Sequence, residues 1–389
     1  MLFFRKNALK RLDIFTRHVR HRMHFDDDIL SEQTKTRLDE VLIEAESLKK
    51  SSPELINKFL EDTPARLDKI TPKKSFAAVR EWVDILAVAF MVAFGIRALY
   101  LQPFKIPTSS MQPTLFGIHY VSKNTKTTVL PPPFDLFIQG MRKAKATVSE
   151  EGQLIPTGSG GFLLSKTYFN IGSQSYSLPG ESPKVNEYAI KGRTYFEKGD
   201  VLCDGWLSTG DHLFVDRFSH HFTGLKRGDV TVFNTEGISY GGQLLSERGY
   251  YYIKRLIGLP GDTIRVKNNM VYIKPSGQKE EKPITDFNPA FKKIYSGKGG
   301  YHGHLNSPTA TYLINEESTF TVPEDSYFMM GDNSANSLDG RYFGMVPRKN
   351  IVGRAFLVFW PFSRRWGIVD AKDPLDVPTT DRNTEMSMQ

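Results

Sequence analysis

The chain has 389 residues, with 51 Lys+Arg against 43 Asp+Glu, a formal net charge of +8, 40% hydrophobic and 24% charged residues. Such a composition buries a real core over two or three domains of ~150 residues each, and it excludes a disordered chain, a collagen-like repeat and a multi-span membrane protein. The basic balance permits an anionic partner without requiring one. The single cysteine, Cys203, excludes an intramolecular disulfide and a cysteine-built zinc site.

From the N-terminus, Arg5, Lys6, Lys10, Arg11, Arg17, Arg20 and Arg22 stand against Asp13, with Leu12, Phe15, Val19 and Met23 at helical spacing between them. This predicts a basic amphipathic helix, suited to anionic lipid or nucleic acid, or equally to a solvated helix packed on its neighbours. It lacks the continuous apolar core of a secretory signal. A second helix is predicted through Leu38, Val41, Leu42, Ala45 and Leu48. A third starts at Ser52-Pro53-Glu54, an N-cap followed by Pro at the first helical position, and runs through Leu55, Ile56, Phe59 and Leu60. Residues 1–81 are expected to form a helical module without chemistry of its own.

Trp82–Leu101 is the most apolar window. As a helix it would span ~30 Å, the thickness of a bilayer core, with Trp82 and Tyr100 placed as interfacial aromatics and Asp84 and Arg97 near the ends. The alternative is a buried core helix. Lys69, Lys73, Lys74 and Arg80 ahead of it favour an inside N-terminus, while Arg97 and Lys105 weaken the asymmetry.

After Leu101 the hydrophobic period changes from 3.6 to 2. Strands are predicted at His212–Phe218, Asp229–Asn234, Tyr250–Ile257, Thr263–Lys267, Met270–Lys274, Ser326–Met330 and Ile351–Trp360, with Asn268-Asn269 as a hairpin turn. The expected fold is mainly β over residues 102–370. Insertions are expected at 118–208, which holds Pro131-Pro132-Pro133 and a Gly/Ser-rich tract at Gly158–Gly161, and at 276–320. A flexible tail is expected at 371–389.

Three clusters carry candidate chemistry. In Ile106-Pro107-Thr108-Ser109-Ser110-Met111-Gln112-Pro113-Thr114-Leu115, flanking prolines stiffen a serine-bearing segment, but a serine needs a base to become a nucleophile. In Tyr251–Asp262, a strand would place Tyr252, Lys254 and Leu256 on one face. Burial there would depress the lysine pKa and make it a general base, whereas an edge strand would leave its amine in solvent. In Met329–Gly344, Gly, Asn, Asp and Ser form a tight polar turn in which Asp339 and Arg341 can pair.

Taken together, in order and spacing, these clusters resemble bacterial type I signal peptidases, membrane-bound Ser-Lys endopeptidases. The resemblance rests on an apolar segment followed by Ile106–Leu115, Gly210–Phe233, Tyr252–Asp262 and Gly331–Pro347, closing with Val352-Gly353-Arg354-Ala355. It implies a signal-peptidase-like β-sheet catalytic domain behind one transmembrane helix. It also implies Ser110 as nucleophile and Lys254 as general base. The Thr108 hydroxyl and the Ser110 N–H would form the oxyanion hole, Ser337 would hold the lysine amine, and Asp339 and Arg341 would form a structural ion pair beside them. No metal or other cofactor is implied. The implied partners are preproteins bearing signal peptides, the lipid bilayer and the secretion machinery, with no nucleic acid. The implied place is the bacterial cytoplasmic membrane, N-terminus inside and catalytic domain on the outer face. Gly340 between Asp339 and Arg341, the long 118–208 stretch and the helical module depart from the family pattern. Trp360, Phe362 and Trp366 are read as either interfacial or core residues. Competing readings are a soluble self-cleaving Ser-Lys repressor, a catalytically silent membrane-tethered binding protein, and a metalloenzyme using His220-His221 or His302-Gly303-His304.

Overall fold

Ser52 starts a helix where the sequence predicts it, and Ser31 starts the one before. Their hydroxyls accept the N–H groups of Thr34 at 3.3 Å and Leu55 at 3.5 Å, satisfying donors that the first helical turn leaves orphaned. In this computed structural model, residues 2–27, 30–71, 77–124, 128–161, 165–298 and 301–371 are described. Two compact units result, Met1–Val92 and Ala93–Gln389. Helices α1 (Leu2–Phe25), α2 (Glu32–Ser47) and α3 (Pro53–Ile70) bury Leu12, Leu38, Val41, Ala45, Ile56 and Phe59. Each of these side chains except the small Ala45 contributes about 1.5–3 kcal/mol by leaving water. Leu55, expected in the apolar stripe, is exposed instead.

Helix α4 (Ala77–Leu99) follows. It stops short of the expected Leu101, which already belongs to strand β1 (Leu101–Lys105). Pro103 cannot continue a helix, and the backbone finds its partners in a strand ladder instead. The α4 side chains Trp82, Ile85, Leu86, Phe90, Met91 and Phe94 are exposed. Among the described residues, no helix is long and apolar enough to cross a membrane. The side chains of Ala77, Ala78, Arg80, Ala98 and Leu99 lie outside that description, as do Lys73, Lys74 and residues 372–389.

The second unit is mainly β. Its central sheet is antiparallel and comprises β1, β2 (His212–Asp216), β3 (Val230–Asn234), β4 (Tyr251–Gly258), β5 (Ser326–Met330), β6 (Met345–Pro347), β7 (Ile351–Trp360) and β8 (Gly367–Ile368). The order is β1-β2-β7-β3-β4-β5-β6, with β8 on β7. Strands predicted from period 2 are found within one or two residues of their expected ends. The hairpin Thr263–Lys267/Met270–Lys274 turns at Asn268 and Asn269, whose φ values of 50° and 60° are those a tight hairpin turn requires.

Residues 118–208 fold into two small sheets around their own core of Phe169, Ile171, Phe196, Leu202 and Leu207. This region meets the end of β7, where the half-buried Trp360 donates its indole N–H to the Phe137 carbonyl at 2.7 Å. Phe362 and Trp366 remain exposed. Residues 276–321 add short turns and two strands, Lys282–Pro283 and Thr319–Thr321, to the hairpin sheet, and bury Ile284, Phe291, Ile294 and Leu313.

Candidate active site

Strand β4 lies between β3 and β5. Its ladder with β5 covers Arg255, Leu256 and Gly258 and not Lys254; burial of the side chain is what rules out a lysine amine left in solvent. Alternation sends consecutive side chains to opposite faces, and here both faces are covered. Lys254 is 5% exposed and Arg255 0%.

The segment Ile106–Leu115 is brought to Lys254 by its own apolar residues. Ile106, Met111 and Leu115 pack with Leu213 and Val215 of β2, and the Ile106 N–H donates to the Asp211 carbonyl at 2.9 Å. Between these anchors the chain makes a tight turn, with Gln112 N–H on Ser109 O at 3.0 Å and Leu115 N–H on Met111 O at 2.9 Å. From the opposite side, the Asn333 N–H donates to Ser110 O at 3.0 Å and its side-chain amide to Ser109 O at 3.3 Å. Gly331 makes this approach possible, because a Cβ there would stand 2.6 Å from the Ser110 carbonyl oxygen and collide with the Ser337 hydroxyl.

The result is a hydrogen bond of 2.8 Å between Lys254 Nζ and Ser110 Oγ, two residues 144 apart in the chain. Burial lowers the Lys254 pKa to about 8, although the Asp339 and Asp332 carboxylates favour its charged form. A charged ammonium donates to the hydroxyl. Once neutral, the amine accepts the Ser110 proton instead, as a general base must.

Arg255, on the other face, is the most heavily partnered side chain nearby. It donates to Asp332 through Nε at 2.7 Å and Nη2 at 2.6 Å, to Asp370 at 2.6 Å, to the Gly228 carbonyl at 2.7 Å and to the Thr114 hydroxyl at 2.9 Å. Burial alone would lower its pKa, but the Asp332 and Asp370 carboxylates outweigh it and drive the pKa up. Thr114 also donates to Asp332, which ties the far end of the serine turn to this cluster.

Asp339 and Arg341 pair as the sequence suggests, with Nε on Oδ1 at 2.9 Å and Nη2 on Oδ2 at 3.0 Å. Burial would raise the Asp339 pKa, but the Arg341 guanidinium holds it below the usual carboxylate range. Arg341 also takes the carbonyls of Ser334, Ser337 and Leu305, and so shapes the loop that carries Asn333. Ser337 is buried and its hydroxyl lies beside Asp339, helping to hold that carboxyl low, and no bond from it to Lys254 is formed. Thr108 lies exposed, two residues before Ser110. Among the described residues no acceptor takes the Ser110 N–H. No group of three His, Cys, Asp or Glu residues suited to a metal is found among them either. His304 is buried, its ring nitrogen Nδ1 bonded to the Tyr295 hydroxyl at 2.5 Å, while His302 is exposed.

The family description "Signal peptidase, peptidase S26" matches residues 204–360. Signal peptidase I of Leptolyngbya laminosa is 36% identical over 159 residues, covering 41% of this chain and 64% of that protein. Signal peptidase I P of Bacillus subtilis subsp. natto is also 36% identical over 159 residues, covering 41% of this chain and 72% of that protein. The chain belongs to the signal peptidase I family. Signal peptidase IB of Staphylococcus aureus (strain Mu50 / ATCC 700699) shares 29% identity over 184 residues, covering 46% of this chain and 80% of that protein. A signal peptidase I crystal structure from Enterococcus faecalis V583 aligns with 26% identity and a TM-score of 0.22, over 33% of this chain and 95% of that one.

Within this chain, the family match includes Lys254, Ser337, Asp339 and Arg341, but Ser110 precedes it. Folding joins the serine to the lysine across the intervening 118–208 region. The Arg255 cluster is the part that sequence reasoning missed. Asp332 and Asn333 lie in the polar turn already singled out, where their roles resembled those of any loop residue. Asp370, 115 residues from Arg255, carries no local signal.

Proposed function

We propose that this chain is a membrane-bound serine endopeptidase that removes N-terminal signal peptides from exported preproteins after small residues. The reading rests on one observation above all, the 2.8 Å contact between a buried lysine amine and the Ser110 hydroxyl. Neutral Lys254 takes the Ser110 proton as Oγ bonds to the scissile carbonyl carbon. The oxyanion that forms meets the Ser110 N–H and the Thr108 hydroxyl. The lysine then gives its proton to the departing amine as the C–N bond breaks, and water repeats the sequence to release the acyl group. The buried Ser337 hydroxyl supplies the amine with a second partner when Ser110 is acylated. Asp339 and Arg341 hold the loop around it. No cofactor takes part, and nucleic acid is not a substrate.

In the same reading, α4 crosses the bacterial cytoplasmic membrane once. Its helical residues from Trp82 to Leu99 would span ~27 Å, near the ~30 Å of a bilayer core, and its large apolar side chains are exposed. Residues 1–81 lie on the cytoplasmic side and residues 102–370 on the outer face, where preproteins emerge from the secretion machinery. Ser110 is nine residues beyond Leu101, within ~30 Å of the membrane surface. Incubating the detergent-solubilised chain with a preprotein tests the chemistry. Ser110→Ala and Lys254→Arg should both abolish cleavage with the fold intact, because guanidinium stays protonated. Cleavage by Lys254→Arg would contradict the general-base role.

A further inference from the structure

The outward face of α1 carries a pattern that proteolysis does not use. Ala8, Leu12 and Val19 turn inward against α2 and α3. Opposite them, Lys6, Lys10, Ile14, Arg17, His21 and Phe25 succeed one another at three- or four-residue spacing and fall within a sector of ~100°. All six are exposed, Ile14 at 58% and Phe25 at 72%. The one carboxylate of the helix is Asp13, 3.8 Å from Arg17. Three other arginines are engaged by the bundle, Arg11 with the Asn57 side chain at 3.3 Å, Arg20 with Glu46 at 3.1 Å and Arg22 with the Thr71 carbonyl at 3.4 Å.

Ile14, and Phe25 stacked on His21 at 6.3 Å, give this face apolar area as well as positive charge. A nucleic-acid phosphate backbone would use Lys6, Lys10 and Arg17 but gain nothing from Ile14 between them. An anionic bilayer surface uses both kinds, with apolar side chains below the headgroups and cations on the phosphates. Chain connectivity favours the same partner. α3 ends at Ile70 and α4 begins at Ala77, a separation that reaches at most ~25 Å, so a membrane-crossing α4 would keep the helical module within reach of a bilayer.

We propose that the Lys6–Phe25 face of α1 docks on the surface of an anionic bilayer. The proximity argument rests on the reading of α4 as a membrane helix; the face itself is tested separately. A nitroxide at His24→Cys, in the full chain with Cys203→Ser, reports the depth of this face in reconstituted vesicles. In phosphatidylcholine with about 30% phosphatidylglycerol, the label should be shielded from a water-soluble nickel chelate, and in phosphatidylcholine alone it should be accessible. Lys6→Glu, Lys10→Glu and Arg17→Glu together should weaken the anionic-lipid preference about a hundredfold. Ile14→Ser with Phe25→Ser should re-expose the label while leaving the charge unchanged. Equal accessibility in both lipids would overturn the proposal, as would shielding by an RNA oligonucleotide and not by phosphatidylglycerol. A second label at Met91→Cys separates the two readings. A label at 91 in hydrocarbon with one at 24 in water sinks the docking face alone. Phosphatidylglycerol-dependent shielding at 24 with 91 in water leaves the face standing and sinks the membrane helix.

Discussion

Lys254 and Arg255 follow each other on one strand, and both are removed from water, yet their surroundings differ. Arg255 faces two carboxylates, a hydroxyl and a carbonyl, which hold it as a permanent cation. Lys254 faces a hydroxyl at 2.8 Å, with no salt bridge to a carboxylate among the described residues, and burial brings its pKa down to about 8. Equal desolvation therefore has opposite outcomes, and the partners decide which. A buried cation with carboxylates is scaffolding, whereas a buried cation with only a hydroxyl is a base close to losing its proton. The first side fixes the turn that carries Ser110, through Thr114 and Asp332.

The largest test of this contrast removes one carboxylate from the arginine side. Asp332→Asn leaves part of a buried ion pair unmatched and should cost about 3–5 kcal/mol of stability, read as a lower denaturant midpoint with an unchanged slope. A loss below about 1 kcal/mol would mean that Asp370 alone holds Arg255.

On the lysine side the working groups are hydroxyls and a backbone N–H, so the effects there should appear in rate. Thr108→Ala should lower the turnover number by ~10²–10³, equivalent to ~2.7–4 kcal/mol. Thr108→Ser, which keeps the hydroxyl, should lose far less. Equal damage from both would assign Thr108 a packing role.

The smallest expected effect is a gain. Lowering the Lys254 pKa from 10.5 to about 8 costs folding on the order of 3 kcal/mol. The sign follows from proton counting. Below pH 8 both states carry the proton and the cost is complete. Between about 8 and 10.5 the unfolded chain holds more protons, so stability rises with pH. Lys254→Met should therefore stabilise the inactive protein most below pH 8, with the gain fading toward pH 10.5. Destabilisation at pH 7 would mean that the amine is held by more than one hydroxyl.

The two sides were unequally legible in the sequence. Lys254 stands out because a lysine among Tyr252, Ile253, Leu256 and Ile257 contradicts its apolar run, and period 2 places it in a strand. Ser110 stands out once the later clusters follow in order. Arg255 could be read only as the lysine's neighbour. Its partners come from a polar loop and from Asp370 beyond the last long strand, and no periodicity links residues that meet only in the folded chain. The end of α4 was misread for a related reason. Hydropathy sees Leu101 as apolar, but pairing of β1 with β2 decides where the helix stops. The fold of residues 118–208 was hidden because short strands around Gly and Pro resemble loops until their shared core forms.

The contrast between the two cations is tested most directly by the pH dependence of kcat/KM for a signal-peptide substrate, measured from pH 6 to 10 with the detergent-solubilised chain. Activity should rise with pH through a midpoint near 8, as Lys254 loses its proton, and the Lys254→Arg variant should show no such limb. A rate that is flat across this range, or a limb that survives in Lys254→Arg, would contradict a neutral Lys254 as the base that activates Ser110.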